Sequence, residues 1–382
     1  MKKVLLVFGT RPEAIKMFPV YDALSKISDI ETKICVTGQH KEMLTQVMDL
    51  FDMKADYDLF VMAPNQTLFD VTSKILNEIK TVLDSYSPNL VLVHGDTTTA
   101  FTASLASYYL KIPVGHVEAG LRTNDVYSPF PEEINRQLTA RIAKYHFAPT
   151  NRSHQNLVNE HIDPDDIYIT GNTVVDSLLY ISNKIDDDQI LSSSLQKYLI
   201  DEGLNFLSNQ TQSDIVLVTG HRRENFGQGF INIVNALKTI SKKYPKLKIV
   251  YPVHLNPNVK GLVYEELSSC NNIYLLKPLD YLNFIYLMKR SKIILSDSGG
   301  IQEEAPSLGI PVLVMRGTTE RQEAVDAGTV KLVGTDQKII VKEVSKLLDD
   351  ESTYRDMSIA QNPYGDGNTG DRISKIISSI LL

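Results

Sequence analysis

A chain of 382 residues exceeds the size over which one hydrophobic core usually keeps growing, so two domains are expected. Its 43% hydrophobic and 22% charged content is that of an ordinary globular protein. A net charge of −7 without a long basic block argues against a general nucleic-acid binder. Cys35 and Cys270 are the only cysteines, which excludes a disulfide framework or a cysteine metal site and fits thiols in a reducing compartment.

Met1-Lys2-Lys3 followed by Val4–Phe8 imitates a signal peptide but is too short, and it runs directly into Gly9-Thr10-Arg11-Pro12-Glu13 without a small-residue cleavage site. No apolar run approaches bilayer-spanning length, so a cytosolic protein is expected. Val4–Phe8 reads as a buried strand, Pro12–Leu24 as a helix, Glu31–Val36 as a second strand, and a helix ends at Leu50. Lys54–Pro64 reads as a polar, irregular piece before a helix from Leu68 to Tyr86. The strands Asn89–Val93, Pro113–Val117, Lys144–Ala148 and Ile167–Thr170 then alternate with the helices Thr97–Tyr109, Pro131–Arg141 and Asn151–Asn159. After a helical piece, Val174–Ile185, and a polar stretch, 186–213, the pattern restarts at Ile215–Val218. It continues through a helix to Lys242, strands at Leu247–Tyr251 and Asn272–Leu275, the helix Leu279–Lys289, the strands Ile293–Leu295, Pro311–Met315 and Thr329–Leu332, and the helix Ile340–Asp349. A turn-rich segment and a last amphipathic helix, Arg372–Leu381, close the chain.

Strands alternating with helices in two successive runs predict an α/β protein of two doubly wound, Rossmann-like parallel-sheet domains. The expected division is 1–171, 172–361 and a carboxyl-terminal piece, 362–382, with the strand-end loops of both domains facing a central cleft.

Gly9-Thr10-Arg11-Pro12-Glu13 lies at the first strand end but is not Gly-x-Gly-x-x-Gly, and no P-loop sequence occurs, so nicotinamide and P-loop chemistry lose their signature. Arg11 and Lys16 follow that strand end and could reach a phosphate or sugar; their structural role would be surface charge. Asp96 and Glu118 end successive strands and can point to one place. Glu132 and Glu133 open a helix, where carboxylates often only suit the dipole, and Glu132 and Arg136 share a face on which they could simply pair. Such a carboxylate set without metal-ligand cadence suits acid–base chemistry better than a metal site. His94 and His116 read as core histidines.

In the second run, His221 stands at a strand end, where it could donate to a phosphate or move a proton near neutral pH. Arg222 or Arg223 pairing with Glu224 is the structural alternative for that cluster. Ser296-Asp297-Ser298-Gly299-Gly300 leads from a strand into a helix whose first N–H groups can receive an anion, with Glu303 and Glu304 placed to hold a sugar diol. The competing role for Ser298 is a helix cap. An arginine from the Arg316–Arg321 loop could face this turn and close an anion pocket. These residues fit either a nucleotide-sugar transferase or an enzyme isomerising a nucleotide sugar.

The stretches Phe8–Met17, His94–Thr97, His116–Arg122, Pro131–Arg136, His221–Asn225, Ser296–Glu304, Thr318–Arg321 and Asn362–Gly367 together resemble the non-hydrolysing UDP-N-acetylglucosamine 2-epimerases across essentially the whole chain. The resemblance implies a GT-B-like architecture, with the last helix returning to the first domain. It implies reversible inversion at C2 of UDP-N-acetylglucosamine, through anti elimination of UDP to 2-acetamidoglucal and re-addition, supplying UDP-N-acetylmannosamine for cell-surface polysaccharides. No cofactor and no metal are implied, nor nucleic acid or membrane, and relatives are usually homodimers. By position, Asp96, Glu118 and Glu132 match the family's catalytic carboxylates, without a fixed assignment to either face of C2, and His221 the essential histidine near the diphosphate. Arg11, Lys16 and Arg136 match polar substrate-binding residues; Ser298, Gly299 and Gly300 match the phosphate loop, Glu304 the ribose carboxylate and Arg321 the loop arginine. Gln39, Arg222 and His254 agree with an allosteric site for a second UDP-N-acetylglucosamine, whereas Glu42 and Asn65 depart from it. A GT-B transferase using a UDP-sugar donor and a non-catalytic nucleotide-sugar sensor are the competing expectations.

Overall fold

The computed structural model describes residues 1–38, 41–63, 66–208 and 214–382. Contacts divide the chain into a first unit, Met1–Ser177 with Tyr364–Leu382, and a second, Leu178–Pro363. The first division falls inside the helix Thr173–Asp187, a few residues past the Gly171 turn.

Among the described residues the first unit builds a seven-stranded parallel sheet from β1 (Lys2–Phe8), β2 (Ile30–Val36), β3 (Tyr57–Asp58), β4 (Leu90–His94), β5 (Val114–Val117), β6 (Tyr145–Ala148) and β7 (Ile167–Ile169). Val4 to Phe8 and Leu90 to Val93 are all fully buried, because helices cover both faces and neither face of these strands can be polar. The order β3-β2-β1-β4-β5-β6-β7 starts in the middle, winds to one edge, then jumps back beside β1. The loops leaving β1 and β4 therefore diverge from adjacent strand ends, which opens a crevice at that reversal.

The second unit repeats the plan with β8 (Ile215–Thr219), β9 (Lys248–Pro252), β10 (Ile273–Leu276), β11 (Ile293–Ser296), β12 (Val312–Val314) and β13 (Val330–Leu332), in the order β10-β9-β8-β11-β12-β13. Here the reversal lies between β8 and β11, so the His221 and Ser298 loops leave neighbouring strands.

The structure also holds elements the pattern reading leaves as coil. Residues 186–213 contain a helix, Gln189–Asp201, capped by Asp188, which accepts the amides of Ile190 and Leu191. Its serine run hides a narrow stripe in which Leu195 and Leu199 are buried. A second helix, Pro257–Leu267, buries Val259, Val263 and Leu267 at four-residue spacing. Glu351–Ser358 is a third, and Tyr57–Asp58 adds the short edge strand within the irregular piece.

Thr10 caps the first helix, Arg11–Ser25, in a capping box with Glu13. Glu13 is only 2% exposed. Its Oε2 accepts the Gly9 amide at 3.1 Å, the Thr10 amide at 2.8 Å and the Thr10 hydroxyl at 2.7 Å, while Oε1 accepts the Thr97 hydroxyl at 2.7 Å. One carboxylate thus ties the turn after β1 to the turn after β4. Burial pushes the Glu13 carboxyl up from 4.5 to about 7, against these hydrogen bonds, which favour its ionised form.

The last helix, Thr369–Leu381, packs on Arg11–Ser25 and buries Ile373 and Ile377. Its Gly370 donates its amide to Asp176 Oδ1 at 2.8 Å. A Cβ at Gly370 would lie 2.4 Å from the Pro19 carbonyl oxygen, so the two helices meet backbone to backbone. Gly370→Ala should cost about 1–3 kcal/mol in chemical denaturation, and an unchanged midpoint would refute that close docking. Glu13 predicts a pH dependence with a definite sign. Its contribution is fully present below pH 4.5 and lost as pH rises to about 7, because over that window the folded state keeps a proton the unfolded chain releases. Stability of wild type minus Glu13→Gln, followed by denaturant titration, should fall by about 3 kcal/mol across this window; a flat difference contradicts it.

Candidate active site

In the first unit the sequence-predicted residues gather at the carboxyl ends of β1, β4 and β5. Lys16, on the helix after β1, donates to Glu118 Oε2, and Asn172 Nδ2 donates to the same oxygen at 2.9 Å. Glu118 adopts φ 63°, the left-handed region that non-glycine residues avoid. Such strain at a strand end is a hallmark of sites where side-chain direction matters more than local stability. Buried His94 lies 3.8 Å away on the same carboxylate, and burial pushes its pKa down to about 4, so it stands neutral behind Glu118. His116 is also buried; its Nε2 pairs with the Gly95 carbonyl at 2.7 Å and fixes the turn that presents Asp96.

Asp96 accepts Arg136 Nη2 at 2.6 Å, and its carbonyl accepts Asn135 Nδ2 at 2.9 Å. Arg136 is held from the other side by Glu133 at 3.0 Å, not by Glu132. The structural alternative, a simple Glu132–Arg136 pair, is therefore not formed: one turn of helix points Arg136 back across Glu133 towards Asp96. Fully buried Glu133 also accepts the amides of Thr123 and Asn124 at 3.0 and 3.2 Å. Burial alone would raise its pKa, but those amides and Arg136 outweigh it and hold Glu133 below the usual range. Glu132 keeps Oε2 buried without a hydrogen-bond partner among the described residues. Arg11 is the half-buried first residue of its helix.

In the second unit, buried Asp297 organises the turn after β8. Its Oδ2 accepts the amides of His221 and Arg222, both at 2.8 Å, and Asn225 Nδ2 at 3.3 Å. His221 and His254 stack with ring centroids 5.1 Å apart and planes 15° apart. Burial lowers the His221 pKa below 6.5, opposed by Asp297 and helped by His254 and Arg222, so the ring is neutral near pH 7. Ser298 occupies the N-cap position of Gly299–Glu304, yet its side chain makes no capping bond, so capping does not explain it. Arg321 lies directly over Gly299, where a Cβ would come within 2.9 Å of its guanidinium carbon. It pairs with Glu303 and Glu320, each at 2.9 Å. Glu304 accepts the Tyr281 hydroxyl at 3.0 Å.

Glu224 pairs with Arg316 at 2.6 Å. The Arg223 side chain, Gln39, Asn65 and the Glu42 side chain lie outside the described residues, so of the expected second-ligand residues only Arg222 and His254 are placed. Sequence reasoning missed the positioning groups Glu13, Asn172 and Asp297. Only Glu13 left a signal, the Thr-x-x-Glu spacing of its capping box. Among the described residues no cluster of His, Cys, Asp or Glu is arranged for a metal ion, and no helix is long and apolar enough to cross a membrane.

Comparison with known proteins gives the family. The family model described as UDP-N-acetylglucosamine 2-epimerase matches residues 22–378. The UDP-N-acetylglucosamine 2-epimerase of Yersinia pestis is 54% identical over 378 residues, covering 99% of this chain and 98% of that protein. The crystal structure of the Neisseria meningitidis UDP-GlcNAc 2-epimerase bound to UDP-GlcNAc is 50% identical, covers 99% of this chain and 100% of its own, and superposes with a TM-score of 0.91. The Methanocaldococcus jannaschii UDP-GlcNAc 2-epimerase in complex with UDP-GlcNAc and UDP superposes at 0.81 with 34% identity and 99% coverage of each chain. A Rickettsia africae glycosyltransferase, 16% identical with a TM-score of 0.63, shares the fold alone. With two parallel-sheet units of GT-B-like type and a match along nearly its whole length, the chain belongs to the UDP-N-acetylglucosamine 2-epimerase family of isomerases, which reversibly invert C2 of UDP-N-acetylglucosamine to give UDP-N-acetylmannosamine.

Proposed function

We propose that this chain performs the inversion by anti elimination of UDP to 2-acetamidoglucal and re-addition, with Asp96, Glu118 and Glu132 handling protons at C2. The observation that carries this reading is the pair Asp96 and Glu118 at neighbouring strand ends, each gripped by its own cation, Arg136 and Lys16. The C2 proton of an intact sugar is not acidic, so abstraction needs positive character at C1 as the diphosphate departs. Arg136 and Lys16 hold the two carboxylates in place at those strand ends. Glu132 keeps a buried carboxyl oxygen without a hydrogen-bond partner among the described residues and is assigned the third proton-handling role. Arg11, Lys16 and Arg136 are assigned to the substrate's polar groups.

The nucleotide is assigned to the second unit. Ser298, Gly299 and Gly300 receive the phosphates, Arg321 completes their charge, Glu304 takes the ribose hydroxyls and His221 meets the departing diphosphate. Binding of UDP-N-acetylglucosamine and UDP by the solved relatives supports this placement. Arg222 and His254, with Gln39, remain the proposed site for a second, activating nucleotide sugar. A cytoplasmic homodimer feeding cell-surface polysaccharide synthesis completes the reading.

Incubated in deuterated water with UDP-N-acetylglucosamine alone, the protein should form the C2 epimer with deuterium at C2. An acceptor-dependent transferase or a sensor would leave the sugar unchanged. Asp96→Asn and Glu118→Gln should each lower deuterium incorporation on the order of 10²–10⁴-fold, while calorimetric UDP affinity stays within threefold. Full exchange in both variants would remove these carboxylates from the chemistry.

A further inference from the structure

We propose that Asp297 is a positioning residue for His221, forming a carboxylate–imidazole pair that holds the ring with Nδ1–H towards Asp297 and Nε2 turned away from it. The inference rests on the assignment of His221 to the departing diphosphate. Asp297 is fully buried immediately after β11, beside β8 in the sheet, so the His221 turn lies within its reach. Its two oxygens have different duties. Oδ2 is saturated by the amides of His221 and Arg222 and by Asn225, which itself reaches on to the Met315 carbonyl at 3.1 Å. Oδ1 is buried without a hydrogen-bond partner among the described residues, and it lies 3.5 Å from His221 Nδ1. An uncompensated buried carboxylate oxygen is expensive, and a small rotation of the imidazole supplies the missing donor. Catalytic hydrogen bonds are often long before substrate binds.

Asp297 thereby grips both the backbone and the ring of the same residue. The amide bonds set where the His221 main chain sits, and the remaining oxygen sets which way the imidazole faces. Among the described residues, the titratable and charged groups around the ring are Asp297 at its edge, Arg222 next in the chain and His254 stacked on its face. His254 Nδ1 accepts the Asn256 amide at 3.1 Å, so that nitrogen has no proton to offer His221. In a neutral histidine the tautomer follows the hydrogen bond one nitrogen makes. With Asp297 Oδ1 as acceptor, His221 carries its proton on Nδ1 and keeps a lone pair on Nε2. When an anion meets Nε2, that nitrogen takes a proton from solvent and no other bond changes. The resulting imidazolium has one N–H on Asp297 and the other on the anion.

The test uses the full chain labelled with ¹⁵N-histidine, with the His221 signals assigned by their loss in His221→Gln. The wild type should show the Nδ1–H tautomer of His221 at neutral pH; the Nε2–H tautomer overturns the proposal without recourse to any variant. Asp297→Asn can keep an oxygen for the two amides while its NH₂ faces the ring, so the tautomer should switch to Nε2–H. Its kcat should fall on the order of 10²–10⁴-fold, with KM within threefold. An unswitched tautomer with full kcat overturns the proposal. Deuterium exchange at C2 by the wild type tests the functional reading separately: its absence sinks that reading, while the tautomer still decides the pairing.

Discussion

Both units depend on a buried carboxylate placed where parallel strands end. A loop leaving a parallel sheet carries amide groups with no strand partner, and burying them without acceptors is costly. Glu13 answers this need in the first unit, Asp297 in the second. Each sits beside the reversal of strand order and ties together the two loops that diverge there, β1 to β4 and β11 to β8. Glu133 repeats the device at the next loop, holding the Thr123 and Asn124 amides while gripping Arg136. The groups proposed for chemistry are therefore mounted on anchored turns, although the turns belong to no regular element.

The same anchors separate the electrostatic characters of the two units. In the first, Lys16 and Arg136 each lie against a carboxylate, and neutral His94 and His116 fill the space behind without adding charge. In the second, Arg316 and Arg321 are threaded among Glu224, Glu303 and Glu320. Burial alone would raise Glu320, but Arg321 and Arg316 outweigh it and bring its pKa to about 2. This loop stays ionised throughout the physiological range, so its arginines are held in place before any anion arrives.

Much of this was legible in the sequence because its strongest signals are local. Apolar runs such as Val4–Phe8 and Ile215–Val218 announce strands, and polar clusters behind them announce strand-end loops. The helices Gln189–Asp201 and Pro257–Leu267 escaped because their apolar stripes are narrow, one of them obscured by serines. Side-chain partners were harder still. Arg136 shares a helical face with Glu132, yet its best acceptor lies on a different strand end, 40 residues away in sequence. Asp297 sits in plain view between a strand and two glycines, but its partners belong to a turn 76 residues earlier. Periodicity reports what a segment buries; it carries no record of which distant loop will be its neighbour.

The last helix adds a constraint of another kind. Gly370 lies against the carbonyl of Pro19, so the first unit is closed by residues that follow the entire second unit in the chain. Synthesis proceeds from the amino terminus, and domains generally fold as units once their residues have emerged. Leu178–Pro363 is therefore the first compact unit whose residues are all available to a growing polypeptide. The amino-terminal sheet, although made first, must wait for Tyr364–Leu382 to leave the ribosome before its exposed helix is covered.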